Sequence, residues 1–279
     1  MKALQDHLIL FDAECPMCRL YTQAFVDRGM LDKDGRKAYQ EFPADACPLL
    51  DRQRAVNEIA LVNLKTGDVT YGIESILKIV STSYPLLRPI LLFKPFLWFM
   101  RKLYAFISFN RRVIIPAPVS ADTFQLQPSF RLRYRLAYLV LTWLITSAVL
   151  TAYVPLMGDL LPQGASYREY IICGGQLFFQ SAIIGLAQKG KHWDYLGNMM
   201  TISLAGALLL LPILLLAPWL TLPPMVYVGC FLLVAAMMLL EHIRRTKLLG
   251  MGQLLTISWV LYRLLVLLFI FLYAAYDHV

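Results

Sequence analysis

The sequence predicts two parts of different class: a small α/β domain at the N-terminus and, after it, an all-α polytopic membrane domain of about five helices. Three observations predict this. Hydrophobic residues make up 58% of the 279 positions and charged residues only 16%, with a mean hydropathy of +0.58; a soluble domain carries about 25% charged residues. The charge is unevenly placed, with 10 basic and 12 acidic side chains in residues 1–84, nine and one in 85–135, and seven and five in 136–279. The long apolar runs are confined to the last of these segments. This composition argues against an ordinary cytosolic enzyme and against a disordered chain. The pI near 9.3 does not mark a nucleic-acid binder, because the excess charge sits in one segment instead of spreading over the chain. The division expected is a head over 1–84, a basic amphipathic connector over 85–113, a linker over 114–135 and a membrane domain over 136–279.

The elements of the head follow from periodicity and punctuation. HLILFD is an apolar strand-like run. In AECPMCRLYTQAFVDRGML, apolar residues recur at Met17, Leu20, Tyr21, Ala24, Phe25 and Met30, a helical spacing, with Gly29 as a stop signal. KAYQEF reads as a strand, PADACPLLDRQR as a loop with a short helix, and NEIALVNL as a buried strand. TGD is a hairpin turn, VTYG the returning strand and IESILKIVSTS a further helix. The order βαβαββα is that of a thioredoxin-like domain.

Between the first strand and the first helix stands Cys15-Pro16-Met17-Cys18. A helix N-terminus offers unpaired N–H groups and a partial positive charge, which stabilise a thiolate, the reactive form of cysteine. Two intervening residues put the second thiol one turn on, within reach of a disulfide. In this reading Cys15 is the exposed nucleophile, Cys18 is the resolving thiol, and exchange runs through a mixed disulfide with a partner. Asp12 precedes the motif. Its carboxylate would raise a thiol pKa, so its expected place is as a cap on helix N–H groups, with proton acceptor for the thiols as the other role open to it. The alternative for the cysteine pair is half of a zinc site, but the head adds only His7 and Cys47, where zinc usually takes two separated pairs. Cys47 reads as a loop or core thiol. In a reducing cytoplasm a paired motif of this kind suggests catalysis or sensing.

The run Asp12-x-x-Cys15-x-x-Cys18 after an apolar strand resembles the DCC family of thiol-disulfide oxidoreductases, named for those three residues. Pro16 also fits the family's pattern; Ala13 stands where glycine is usual. The resemblance continues at Tyr71-Gly72, at Ser75 and at Asn110-Arg111, and covers about residues 7–113. It implies a thioredoxin-like fold and a thiol-redox site at Cys15 and Cys18 with Asp12 beside them. No cofactor beyond a redox-active disulfide is expected; nothing in the sequence supports a quinone or a bound lipid.

The connector contains PILLFKPFLWFMRKLYAFISFNRR. Lys94, Arg101 and Lys102 would be costly at mid-bilayer. A helix starting near Pro95 puts Lys94, Arg101, Ala105, Ser108 and Arg112 on one face. Phe96, Phe99, Leu103, Phe106 and Ile107 fall mostly elsewhere. Two readings remain open, an interfacial helix with its basic face toward anionic headgroups and a core helix of the head. Three prolines in IIPAPVSADTFQLQP mark the linker.

Five runs, about 136–157, 169–187, 196–217, 224–241 and 254–276, approach the roughly 20 apolar residues needed to cross a bilayer. Basic residues alternate between loops. Arg131, Arg133 and Arg135 precede the first span, Lys189 and Lys191 follow the second, and Arg244, Arg245 and Lys247 follow the fourth, whereas the other loops carry only Arg168. The positive-inside rule then places the head in the cytoplasm and Val279 outside, in a multi-pass inner-membrane protein. Arg263 lies mid-span, and a charge there is functional or paired; Gln176 and Gln180, one turn apart, could face it. Cys173 and Cys230 fall near the outer ends of their spans, where a pair would suggest an electron relay and single thiols would be small apolar residues.

The function expected is membrane-anchored dithiol–disulfide exchange with a thiol-containing membrane or cytoplasmic protein, with the lipid bilayer as the other partner and no nucleic acid. The alternatives are a membrane scaffold or binding module with incidental thiols, and a small transporter or lipid-handling protein with its site near Arg263.

Overall fold

Five consecutive buried residues, His7–Phe11, form the strand at the centre of the N-terminal unit. In the computed structural model, residues 2–43, 47–116, 129–187, 190–220 and 222–277 are described, and the chain divides into two units, Met1–Tyr134 and Arg135–Val279.

In the first unit, β1 (His7–Phe11) is flanked on one side by the parallel strand β2 (Arg36–Ala38) and on the other by the antiparallel strand β3 (Ala60–Asn63). Antiparallel β4 (Val69–Tyr71) completes the order β2-β1-β3-β4. Alternation along the strands separates two cores. Leu8, Leu10, Ala60 and Val62 face Tyr39, Phe42 and the helix α2 (Arg52–Asn57). Ile9 and Leu61 face the opposite way, onto Tyr21 and Phe25 of α1 (Pro16–Asp27), Ile76 and Ile79 of α3 (Ile73–Ser83), and Tyr104. The element order is the expected βαβαββα.

Two boundaries differ from expectation. The run KAYQEF is a strand only to Ala38, and Tyr39–Glu41 turns into a 3-10 helix; this swings Tyr39 into the core and brings Gln40 to the start of α1. The short helix α2 begins later than the loop text suggests, where the Asp51 carboxylate accepts from the Arg54 N–H at 2.9 Å as its cap.

Gly72 is the N-cap of α3, with φ +61° and ψ −136°, a region essentially restricted to glycine. A Cβ there would also crowd Glu58 and the Tyr104 ring. The Tyr71-Gly72 step is therefore fixed both by backbone conformation and by the approach of another helix.

After a four-residue helix, α4 (Arg88–Leu91), comes α5 (Lys94–Ile114) with Pro95 in its first turn. It is a core helix of the head: Ser108 donates to the Asn57 carbonyl at 2.5 Å, and Tyr104 Oη accepts from the Ile59 N–H at 3.0 Å. The basic stripe does not point outward as one headgroup-facing surface. Arg101 pairs with Glu74 at 2.8 Å (Nε to Oε1) and Arg112 with Glu14 at 3.0 Å, because the head presents acids along that side. Trp98 and Phe99 are left exposed, as are Lys94 and Lys102. Of the expected linker, 117–128 lie outside the described residues.

The second unit is all helical: α6 (Leu132–Tyr153) running into a 3-10 segment to Leu160, α7 (Arg168–Ala187), α8 (His192–Leu216), α9 (Pro224–Leu248) and α10 (Leu254–Asp277). Each is long and apolar enough to cross a membrane, and together they make a multi-pass membrane domain. The helices run past several of the expected span limits, because polar residues at their ends continue the helix beyond the apolar text. α10 comes close to α7 at Gly175, where a methyl group would collide with the Tyr262 hydroxyl; that hydroxyl donates to the Ile172 carbonyl at 2.8 Å.

Candidate functional site

The loop from β1 to α1 is built around Asp12, a carboxylate 3% exposed. Its Oδ1 accepts from the Glu14 N–H at 3.0 Å and from Gln40 Nε2 at 3.0 Å. Gln40 Oε1 in turn accepts from the Ala13 N–H. The other oxygen, Oδ2, accepts from Arg111 Nη2 at 2.9 Å, an ion pair buried on both sides and spanning 99 positions of sequence. Arg111 is further held by the carbonyls of Val56 at 2.7 Å and Asn57 at 3.1 Å. Asp12 is thus not the helix cap that its position suggested. It stands three residues before the cap, and both its oxygens are occupied by Glu14, Gln40 and Arg111.

The cap of α1 is Cys15 itself. Its Sγ accepts from the Cys18 N–H at 3.3 Å, with Pro16 in the first turn; proline suits a position whose N–H would have no helical partner. The placement puts the sulfur against the positive end of the helix dipole. The Cys18 thiol donates to Cys15 and, with the nearby Arg111 guanidinium and the Cys18 N–H, outweighs the opposing effect of burial and of Asp12, so the Cys15 pKa falls from 9.0 to about 7. The same hydrogen bond, with burial, pushes the Cys18 thiol well up. One sulfur is an accessible thiolate in the acid–base sense and the other a held-back thiol, which is the asymmetry that a nucleophile and a resolving thiol require.

Cys15 differs from expectation in one respect. It is buried, 5% exposed, within a cluster of Phe11, Cys18 and Ala38 edged by Ala13, Met17 and Tyr21. The reason is packing: β1 delivers Phe11 and β2 delivers Ala38 directly over the motif. Ala13 and Met17 are only half-buried and form the outer edge.

Tyr21 and Tyr104 complete the surroundings. The Tyr21 hydroxyl lies beside Cys18, and burial raises its pKa; Tyr104 is likewise raised by burial. Cys47 lies in the opposite core and donates to the Gly67 carbonyl at 3.5 Å. His7 Nδ1 lies 2.7 Å from the Gln5 carbonyl. Among the described residues no three His, Cys, Asp or Glu side chains gather as a metal site.

Residues 9–115 match the family model of the DCC1-like thiol-disulfide oxidoreductases. The match takes in Asp12, Cys15, Cys18 and Arg111 and ends before the membrane helices. No curated protein and no solved structure matches the chain. Arg111, which closes the site, lies near the far end of the match. Asn110, fully buried, donates to the carbonyls of Phe106 and Tyr134 and anchors the same turn. The buried role of Arg111 is what sequence reasoning missed; the resemblance at Asn110-Arg111 marked the position but not its pairing with Asp12.

In the membrane unit, Gln180 does not reach for Arg263 with its oxygen. Its Oε1 accepts from the Tyr195 hydroxyl at 2.8 Å and the Ser258 hydroxyl at 3.2 Å. Arg263 lies over the Trp259 ring at 3.4 Å from the centroid. Cys173 and Cys230 are both free thiols. Cys173 lies near Glu169 and Arg263, and Cys230 near Tyr153; no bond joins them. Lys189 and Val279 lie outside the described residues.

Two predictions follow from the head. Asp12→Ala leaves the Arg111 cation buried without its partner and costs about 3–5 kcal/mol, read as lost hydrogen-exchange protection of β1 and β3 in the detergent-solubilised protein. The rate of Cys15 alkylation by iodoacetamide rises with pH to a midpoint near 7, because only the thiolate reacts; Cys18→Ala removes the largest stabilising contact and moves that midpoint upward toward 9.0.

Proposed function

We propose that this protein is a membrane-anchored thiol-disulfide oxidoreductase working through Cys15 and Cys18. The observation that carries the reading is the sulfur-to-N–H contact at the start of α1, Cys15 Sγ to Cys18 N at 3.3 Å. It sets the sulfur where the Cys18 thiol also donates to it, the larger effect, so that Cys15 is the sulfur that ionises first, with the pKa near 7. The DCC1-like match over this segment supports the same chemistry.

The reaction balances within the head and its partner. The Cys15 thiolate attacks one sulfur of a partner disulfide; a Cys15–partner bond forms, the partner S–S bond breaks, and the second partner sulfur leaves as thiolate. Cys18 then loses its proton and attacks Cys15 Sγ, closing Cys15–Cys18 and releasing the partner as a dithiol. Two electrons pass to the partner, and the reverse sequence oxidises it. Arg111 steadies negative charge on either sulfur. Asp12 orients Arg111; with both oxygens engaged it does not serve as a base. Met17 and Ala13 form the edge at which a partner sulfur would approach. The partner is a thiol-containing membrane or cytoplasmic protein. No further cofactor is needed.

The head works on the cytoplasmic side of the inner membrane in this reading, and the C-terminus lies outside. Basic residues gather at one end of the helical unit: Arg135 bonds the Trp193 carbonyl, Lys191 bonds the Leu249 carbonyl and Arg245 bonds Asn198. The positive-inside rule assigns that end to the cytoplasm. Exposed Trp98 and Phe99 next to Lys94 and Lys102 on α5 suit contact with an anionic inner leaflet.

Differential alkylation of the purified protein across a glutathione series, read by intact mass, is expected to show two sites lost and regained together, assigned to Cys15 and Cys18. Cys18→Ser should accumulate a mixed disulfide through Cys15, and Cys15→Ser should not. Failure of the two thiols to pair at any potential would overturn the assignment. For the orientation, an impermeant maleimide on intact spheroplasts should label Gln163→Cys and spare Gln253→Cys until the membrane is opened; the opposite pattern would place the head outside.

A further inference from the structure

Apart from Nε of Arg135, whose guanidinium is held by Trp193 and Asp194, the membrane unit holds four buried polar nitrogens that no described group accepts from: Nε2 of Gln176, Nε2 of Gln180, Nε1 of Trp259 and Nη1 of Arg263. All four are hydrogen-bond donors. The buried hydroxyls of Thr146 and Thr151 also lack partners, but a threonine can rotate onto a carbonyl of its own helix. An amide, an indole and a guanidinium have no such recourse.

Three of the groups are linked by contacts, Gln180 through Tyr195 and His242 to Trp259 and so to Arg263, and the fourth, Gln176, lies one turn before Gln180 on α7. Gln180 Oε1 is taken by Tyr195 and Ser258, so its amide nitrogen points away from that pair. Trp259 follows Ser258 directly and packs against His242 at 5.0 Å between ring centroids. The Arg263 guanidinium lies over the Trp259 ring and within electrostatic reach of Cys173 and Tyr195. Gln176 stands on α7 between Cys173 and Gln180. The Tyr262 bond to the Ile172 carbonyl ties α10 to α7 at this level. Arg263 lies nine residues into α10, about 14 Å along the helix, and so near the middle of a hydrocarbon core about 30 Å thick.

Among the described residues, no acid pairs with Arg263. Glu169 pairs with Arg168, Asp194 with Arg135, and Glu241 with Arg244 and Arg245; no ion pair among the described residues includes Arg263. A guanidinium at mid-bilayer is costly even on insertion scales, and it is retained here over the Trp259 ring. Its side chain is half-buried, next to the lipid-facing Leu264 and Leu267.

We propose that this cluster is an intramembrane binding site for an anionic amphiphile, whose carboxylate or phosphate oxygens pair with Arg263 and accept from Gln176, Gln180 and Trp259 while its acyl chain lies among the apolar side chains of the spans. The guanidinium fork matches both kinds of head in bidentate geometry. A neutral lipid would satisfy the amides and the indole but leave the cation unpaired. The ligand enters sideways from the bilayer, so the site does not depend on the thiol chemistry of the head.

The test uses the full chain in phosphatidylcholine nanodiscs and three radiolabelled probes: laurate, dilauroyl phosphatidic acid and methyl laurate. Saturable binding of about one equivalent of one acidic probe is expected, with the stronger of the two naming the head group. Methyl laurate should neither saturate nor compete. Arg263→Gln should weaken binding by about tenfold or more, and Arg263→Lys should recover part of it. Trp259→Phe and Gln176→Leu remove a donor without removing the cation, and each should weaken binding several-fold; they keep the test decisive if Arg263→Gln does not fold. Absence of saturable binding by both acids, equal binding of the neutral ester, or unchanged binding in the folded variants would overturn the proposal.

Discussion

The buried ion pair between Asp12 and Arg111 is the constraint on which the head depends. A carboxylate and a guanidinium taken out of water each lose several kcal/mol of solvation, which their attraction offsets only if the remaining polar atoms are also satisfied. The head meets most of that demand with four groups from three places: Gln40 from the turn after β2, the Glu14 N–H from the loop itself, and the Val56 and Asn57 carbonyls from the end of α2. Satisfying the pair therefore fixes the β1–α1 loop, the 3-10 turn, α2 and α5 together. An isolated hydrophobic core of this size would hold the sheet without specifying where α5 must lie.

That arrangement also sets the chemistry. The guanidinium is close enough to favour charge on either sulfur, and its effect on Cys15 outweighs the opposing one of the Asp12 carboxylate that holds it. The asymmetry between the cysteines comes from local geometry. Cys15 caps α1 and accepts, whereas Cys18 lies inside the first turn and donates. Burial raises the pKa of both thiols; the hydrogen bond between them decides which sulfur ionises.

The sequence was most legible where periodicity and chemistry agree. The strand at His7–Phe11, the helix begun by Cys15-Pro16, the turn at Gly67 and the five apolar spans all follow from local pattern. The Asp12–Arg111 contact was not legible, because it joins residues 99 positions apart and an arginine on an amphipathic helix reads as solvated by default. The same limit hid the burial of Cys15, which depends on Phe11 and Ala38 arriving from two different strands. KAYQEF failed as a full strand for a physical reason of the same kind: Tyr39 fills the core and Gln40 completes the Asp12 shell only if the chain turns after Ala38. In the membrane unit, Arg263 stood out by its depth alone, whereas Tyr195, His242 and Trp259 around it carry no local signal, since aromatic residues are common in membrane helices.

The two units solve the same problem in opposite ways. The head buries a charge and supplies its partner from within the chain. The membrane domain buries a charge on α10 beside three other donors and supplies none. In the head, the internal partner makes Arg111 a fixed element of structure that tunes neighbouring sulfurs. In the membrane domain, the missing partner leaves attraction unspent, and only something that comes and goes can use it. A cation that needed only structural satisfaction would be expected beside one of the acids at the helix ends, as Arg135 and Arg245 are. Arg263 is instead placed one turn beyond Trp259, in none of the ion pairs that Glu169, Asp194 and Glu241 make, at a depth where the counter-charge must itself be soluble in lipid.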